Sequence, residues 1–463
     1  MIDSSTNSNV DEVGSLYKKK MIANSAALSL LTIALAACSS QTATTDSKSA
    51  PAPAASNTPA PSATPAVSND PVTVKIAARS ISVTDDEFKM YFVDPVKKKY
   101  PNITVERIDN GQKGQTLEEL VVAGTIPDLV LEAPLNLSTM KQLGIDSNIE
   151  DLIKKYKFDL NRVQPEHLES IKVGTFNDYL GALPIYNNYF GLFYNKDLFD
   201  KFGVAYPKEN LTWDEVRTMA AKLTRTENGT DYVGLHPNSV FWGAYQLGLP
   251  FIDTVNDKAV YQTAGWKELL EMWAQLYVGP GGQPIPTTIA AVAGFQKGQV
   301  AMTMGYTDLL ASMSKVQGLN WDITTYPINP KAPGVGQRVD SYNLAITSKS
   351  KNRDAAFQVI EVLLSDDVQQ LMSRNGRSSV LKDRKIQDQF GQGVAEYQKK
   401  NVVALTKLKL AVVKPFKYAF PTNPASLISA SFNDLIYNGK DVNTVLREAD
   451  EKLNKQIQDI VKK

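Results

Sequence analysis

The sequence predicts an α/β protein with a largely parallel sheet, and three short segments carry that expectation. Val72–Ala78 alternates apolar and polar side chains as a half-buried strand does, Ile103–Ile108 follows as a second strand, and Asp128–Leu131 supplies a third. Helical patterns fall between them, and a β-α-β-α-β order marks strands joined by crossover helices.

The first crossover is expected as a helix from about Asp85 to Lys99, stopping before Pro101. Pro95 lies inside it and is expected to kink or split it, because proline has no N–H and crowds the preceding turn. Thr116-Leu117-Glu118-Glu119 has capping-box spacing: the threonine side chain accepts from the N3 amide while Glu119 reaches back. Gly124 stands where that helix needs a residue of positive φ to end.

The second half continues in the same style. Asn195 caps a short helix ending near Gly203, and Thr212-Trp213-Asp214-Glu215 is a further capping box. It opens a helix with Val216, Met219, Ala220 and Leu223 on one face. Trp266, Leu269, Leu270, Trp273 and Leu276 form an apolar stripe at helical spacing, which reads as core rather than as a sugar platform. Trp321, just before a strand, reads as core too. Strands are expected at Ala301–Met304, Ile323–Tyr326 and Leu344–Ile346, and helices at Asn352–Gln370 and Val442–Val461. Phe241, Trp242 and Tyr245 fall in a stretch that reads as a loop.

Composition narrows the function classes. Net charge is +1, so nothing points to nucleic acid. Cys38 is the only cysteine, so the chain beyond it has no disulfide, thiolate metal site or cysteine nucleophile. The only histidines are His167 and His236, which removes HExxH zinc sites and argues against a Ser-His-Asp triad. His167, at a helix start after Pro165, is expected to be solvated. No cofactor and no metal are expected.

Ahead of Cys38 stand Lys18–Lys20, then an apolar run from Met21 to Leu35, and the tetrapeptide Leu35-Ala36-Ala37-Cys38. This resembles the lipobox of a bacterial lipoprotein signal, which implies cleavage before Cys38 and lipid on its thiol. The run is too short to span a bilayer stably. Asp3, Asp11 and Glu12 suit an n-region poorly and point to a translation start downstream of Met1. From Ser39 to Pro71 the chain is mostly Ser, Thr, Ala, Pro and Asn, with too little apolar surface to order itself. In polyproline II form, at ~3.1 Å per residue, this tether would reach ~100 Å. Residues 1–37 are therefore expected as signal and 38–71 as lipidated tether.

Several segments resemble those of the family 1 extracellular solute-binding proteins of ABC importers. They are Lys98-Lys99-Tyr100-Pro101-Asn102 with Ala123-Gly124-Thr125-Ile126-Pro127-Asp128, then Gly181-Ala182-Leu183-Pro184 with Phe193-Tyr194-Asn195-Lys196-Asp197-Leu198-Phe199. Phe295-Gln296-Lys297-Gly298-Gln299-Val300-Ala301-Met302 and Lys351-Asn352-Arg353-Asp354-Ala355-Ala356-Phe357 follow in the family's order. The resemblance implies a two-lobe periplasmic-binding-protein fold of type II, with discontinuous lobes, a multi-strand hinge and the ligand between the lobes. One lobe would hold 72–184 and about 341–400, the other 185–340 and about 401–463. The hinge crossings would lie near Leu183–Tyr186 and Val339–Asn343.

Ligands of open α/β sheets sit outside the carboxyl ends of strands. That rule and the resemblance together select Arg79, Ser80, Glu132, Tyr186, Asn187, Tyr189, Trp242, Tyr306, Asp308, Ser341 and Tyr342. Asn188 and Asp340 stand beside them. The family commonly stacks an aromatic on sugar where this chain has Tyr306. A pyranose packs its C–H face on an aromatic ring, and its hydroxyls pair with carboxylates, amides and arginine. Asp340-Ser341-Tyr342-Asn343 replaces the glycines frequent there, and Gln392–Phe420 matches the family only vaguely. Its Lys407, Lys409, Lys414 and Lys417 read as solubilising surface.

The expected function is a non-enzymatic, monomeric receptor. It would be anchored by lipid to the outer face of the cytoplasmic membrane and would pass a sugar or oligosaccharide to ABC permease subunits. Two alternatives are a receptor for another solute (iron, polyamine or peptide) and a tethered carbohydrate-active enzyme with two facing carboxylates.

Overall fold

The computed structural model describes residues 70–79, 83–109, 112–413, 416, 418 and 420–462. Cys38, Ser80, Lys414 and Lys417, with the signal and most of the tether, lie outside the described residues.

Two sheets organise the described chain. The first takes β1 (Val72–Ala78), β2 (Ile103–Asp109), β3 (Leu129–Glu132), β4 (Ala182–Asn187), β8 (Ser341–Ile346) and β9 (Ser378–Ser379), in the order β9-β4-β8-β3-β1-β2. The second takes β5 (Phe190–Asn195), β6 (Met302–Tyr306) and β7 (Trp321–Thr324), with β5 central. β1 pairs in parallel with β2 and β3, as the crossover pattern predicts, whereas β8 runs antiparallel to β3 and β4. The smaller sheet is wholly antiparallel.

Local signals explain most elements. The Thr116/Glu119 and Thr212/Glu215 capping boxes form as expected, and Gly124 and Gly203 end their helices at φ 71° and 66°. A further box, Thr84 with Glu87, starts the first crossover. That crossover is not one regular helix. A π-helical turn over Lys89–Val93 separates Asp85–Phe88 from Asp94–Lys99, placing Pro95 in the first turn of the second piece. There its missing N–H breaks no hydrogen bond.

Three expectations are corrected. Asn352–Gln370 is two helices, Arg353–Leu363 and Asp366–Arg374, because extended Ser365 interrupts the first and precedes a new acidic first turn. Phe241–Gln246 is a helix rather than a loop, and it buries Trp242 and Tyr245. His167 is fully buried on the inward face of the helix Pro165–Thr175, where Ile171 lies four residues on, and neither ring nitrogen has a hydrogen-bond partner.

The cores follow the sheets. One hydrophobic cluster surrounds the larger sheet and runs from Val74 to Tyr186 and from Tyr342 to Ile386. A second packs Trp266, Trp273, Met302 and Met304 with the C-terminal helices Pro424–Tyr437 and Val442–Val461. A third joins Phe193, Trp321 and Ile323 to Phe390, Tyr397, Val402 and Leu405. Packing is close where helices meet: a Cβ on Gly174 would lie 1.8 Å from the Pro134 carbonyl oxygen.

Candidate functional site

Strand register brings one edge of the larger sheet together. Ala78 faces Leu131, Glu132 faces Asn343, and Ser341 faces Asn187. Arg79, Glu132, Asn187 and Ser341 therefore all stand at the carboxyl ends of β1, β3 and β4, although β8 arrives there by its amino end.

Glu132 is almost wholly buried, and Arg79 Nε lies 3.2 Å from its Oε2. Its Oε1 accepts from the Ala133 amide at 2.9 Å and from Asn136 at 3.1 Å. Burial pushes the Glu132 carboxyl up, against the pull of those donors and of Arg79. Arg79 also reaches Glu118 at 3.3 Å.

In the smaller sheet, β6 ends at Tyr306, which faces Phe190 of β5. Tyr306, Phe190 and Trp242 form a triangle of rings with centroids 4.8, 4.9 and 5.3 Å apart. Arg338 lies over the rings of Tyr245, at 5.0 Å, and Trp242, at 5.7 Å. Its Nη2 stands 3.1 Å from Asp340 Oδ1. Burial pushes the Asp340 carboxyl up while Arg338 pulls it down.

Between the sheets lies a polar knot. The Asn188 side chain donates to Asp308 Oδ2 at 3.1 Å and accepts from the Thr307 hydroxyl, and the Asn188 backbone N–H donates to the Asp340 carbonyl at 3.1 Å. The Tyr342 hydroxyl donates to Asp308 Oδ2 at 3.2 Å, and Arg377 Nη1 donates to Asp308 Oδ1. The Tyr186 ring packs against Tyr342 at 4.7 Å, tilted by 60°, and its buried hydroxyl has no hydrogen-bond partner. Burial raises the Tyr186 phenol, so it is a donor in wait rather than an anion.

The sequence-selected residues thus divide. Arg79 and Glu132 line the first edge. Tyr306 and Trp242 belong to the ring triangle, and Asp308, Tyr186 and Tyr342 to the polar knot. Asn187 is buried between them, its Oδ1 accepting from the Asp340 amide at 3.3 Å while its Nδ2 has no partner. The Ser341 hydroxyl is used inside the sheet, donating to Asn343 at 2.9 Å. Tyr189 packs in the third hydrophobic cluster, and Ser80 is outside the described residues. Sequence reasoning missed Arg338, Arg377 and Glu87. Arg338 carried a usable signal, since Arg338, Asp340 and Tyr342 alternate at strand spacing.

Among the described residues there is no group of three or more His, Cys, Asp or Glu that could hold a metal ion, and no helix long and apolar enough to cross a membrane. The arrangement offers an aromatic wall, paired charges and unfilled donors, which suits a polar ligand with apolar faces.

A family model described as bacterial extracellular solute-binding protein matches residues 92–392. A binding protein of Brucella abortus (strain 2308) is 25% identical over 277 residues, which cover 56% of this chain and 64% of that relative. The match therefore spans less than two thirds of its length. In fold, the chain is similar to an ABC substrate-binding protein from Listeria monocytogenes in complex with cycloalternan, with TM-score 0.67 at 17% identity, covering 84% of this chain and all of that one. It is also similar to the sugar-binding protein MalE from Xanthomonas citri, with TM-score 0.66 at 17% identity, covering 84% and 98%. The fold is the two-lobe, type II periplasmic-binding-protein fold.

Proposed function

The chain belongs to the family of bacterial extracellular solute-binding proteins, and from that premise we propose that it captures a sugar or oligosaccharide between its lobes for an ABC permease. The observation that carries the carbohydrate reading is the ring triangle of Tyr306, Phe190 and Trp242 beside the Arg338–Asp340 pair. Rings take the C–H face of a pyranose and the charged pair takes its hydroxyls.

In this reading the protein is a receptor, not an enzyme. It acts as a monomer, and lipid on Cys38 holds it at the outer face of the cytoplasmic membrane. The first lobe is built on 72–187 and the chain from 341, with its return crossing between Ile386 and Phe390. The support for that limit is packing: Ile386 joins the first cluster and Phe390 the third. The first crossing falls at Asn188–Tyr189, between β4 and β5. Ligand would select the closed pair of lobes.

The test is a thermal-shift screen of the purified protein against neutral and acidic saccharides, iron and polyamines. A saturating saccharide should raise the melting temperature by mass action. A shift with iron or polyamine alone overturns the carbohydrate reading, and turnover of an oligosaccharide overturns the receptor reading.

A further inference from the structure

The charges of the candidate site come in pairs. Arg79 is held by Glu132 and Glu118, Arg338 by Asp340, and Arg377 by Glu87 and Asp308. These three guanidiniums face five carboxylates, so the balance around the site is acidic. An anionic ligand would have to bury a further negative charge beside Asp340 and Glu132, without a surplus cation from these three to meet it.

Arg338 is unusual within this set. It is mostly buried, and its Nε and Nη1 make no hydrogen bond, although a guanidinium offers five N–H donors. Asp340 alongside is acceptor-only when ionised. A sugar hydroxyl both donates and accepts, so a vicinal pair of hydroxyls can accept from Arg338 and donate to Asp340 at once. A carboxylate can only accept: it would meet Arg338 but be repelled by Asp340 3.1 Å away from that guanidinium. The rings of Trp242, Tyr245 and Tyr306 border the pair and provide the apolar surface for the rest of the ring.

Resting on the carbohydrate reading above, we propose that Arg338 and Asp340 work as a hydroxyl-reading pair that selects neutral glycans and rejects uronates. Arg338 is thereby a specificity-determining residue, and the ligand class is a neutral polyhydroxylated ring.

Calorimetric titration of the full-length protein tests this. The probes are neutral mono- to trisaccharides of glucose, mannose and galactose, and glucuronate, mannuronate and galacturonate oligomers of equal length. At least one neutral saccharide should bind a hundredfold or more tighter than its uronate. Asp340→Asn should weaken the neutral ligand about tenfold and narrow its advantage over the uronate, since the repelling charge is gone. Arg338→Lys keeps the charge but loses the fork and should also weaken neutral binding about tenfold, with thermal melts confirming that both variants fold. A uronate that binds as tightly as its neutral counterpart overturns the proposal, as do two folded variants with unchanged affinity and selectivity. Failure of every saccharide, neutral and acidic, overturns the carbohydrate reading itself.

Discussion

Arg377 Nη1 lies 2.9 Å from Asp308 Oδ1, tying the residue before β9 of the larger sheet to a residue two positions past β6 of the smaller one. The other edge of the same guanidinium makes two bonds to Glu87, at 2.9 and 3.0 Å. One side chain therefore holds a helix start that precedes β2 of the larger sheet and the chain just past β6 of the smaller one. Arg377 is mostly buried while the Asp308 carboxylate stays partly exposed, so solvent screens part of this charge-assisted bond.

Asp308→Asn should loosen this bond while keeping an acceptor for Tyr342. The loss should be about 1–2 kcal/mol, allowing for the partly exposed carboxylate. Small-angle scattering of the ligand-free protein should show a larger radius of gyration, and ligand affinity should fall about tenfold or less. An unchanged scattering curve would show that the bond does not set lobe closure.

Tyr306→Ala removes one ring of the triangle and should weaken ligand binding by more than about tenfold, whereas Tyr306→Phe should restore most of it. Titration of both variants with the same saccharide checks this. Equal affinity in the alanine variant would remove Tyr306 from the site.

His167 makes an acid-sensitive prediction. Burial lowers its pKa from the ordinary 6.5 to about 3. The folded protein keeps it neutral while the unfolded chain takes up a proton below 6.5. Its contribution is thus fully present above that pH and is lost as pH falls towards about 3, at no more than about 1.4 kcal/mol per pH unit. His167→Leu should flatten the fall in urea-unfolding stability over this window. Parallel curves for variant and wild type would contradict the assignment.

Gly174→Ala should destabilise the protein by about 3 kcal/mol or more, because the new methyl collides with backbone rather than with a movable side chain. Gly124→Ala, in open space at positive φ, should cost only about 1 kcal/mol. Denaturant midpoints of the two variants give the comparison.

The fold was legible where its chemistry is local. Capping boxes, positive-φ glycines and strand alternation depend on residues a few positions apart, and Thr116, Thr212, Gly124 and Gly203 behave as their neighbours dictate. The candidate site was legible only in part. Strand ends pointed to Arg79, Glu132 and Tyr306, whose positions follow from register. Arg377 and Glu87 are 290 residues apart in sequence, and no local pattern announces their meeting. His167 misled for a related reason: a polar residue at a helix start is ordinarily solvated, and only the helix's tertiary partners turn this one inward.

Asn188 and Tyr189 are all that separates β4 from β5. Two residues extend to no more than about 7 Å, so they cannot act as a slack cord between the lobes. Under the proposed lobe division, the lobes can pivot along this crossing but cannot drift apart, and the motion is torsion about a few backbone bonds. Under the proposed function, this link makes the receptor a spring as well as a clasp. Its stiffness is set by backbone that need not touch the cargo, so selection could retune how readily the clasp shuts without altering what it grips.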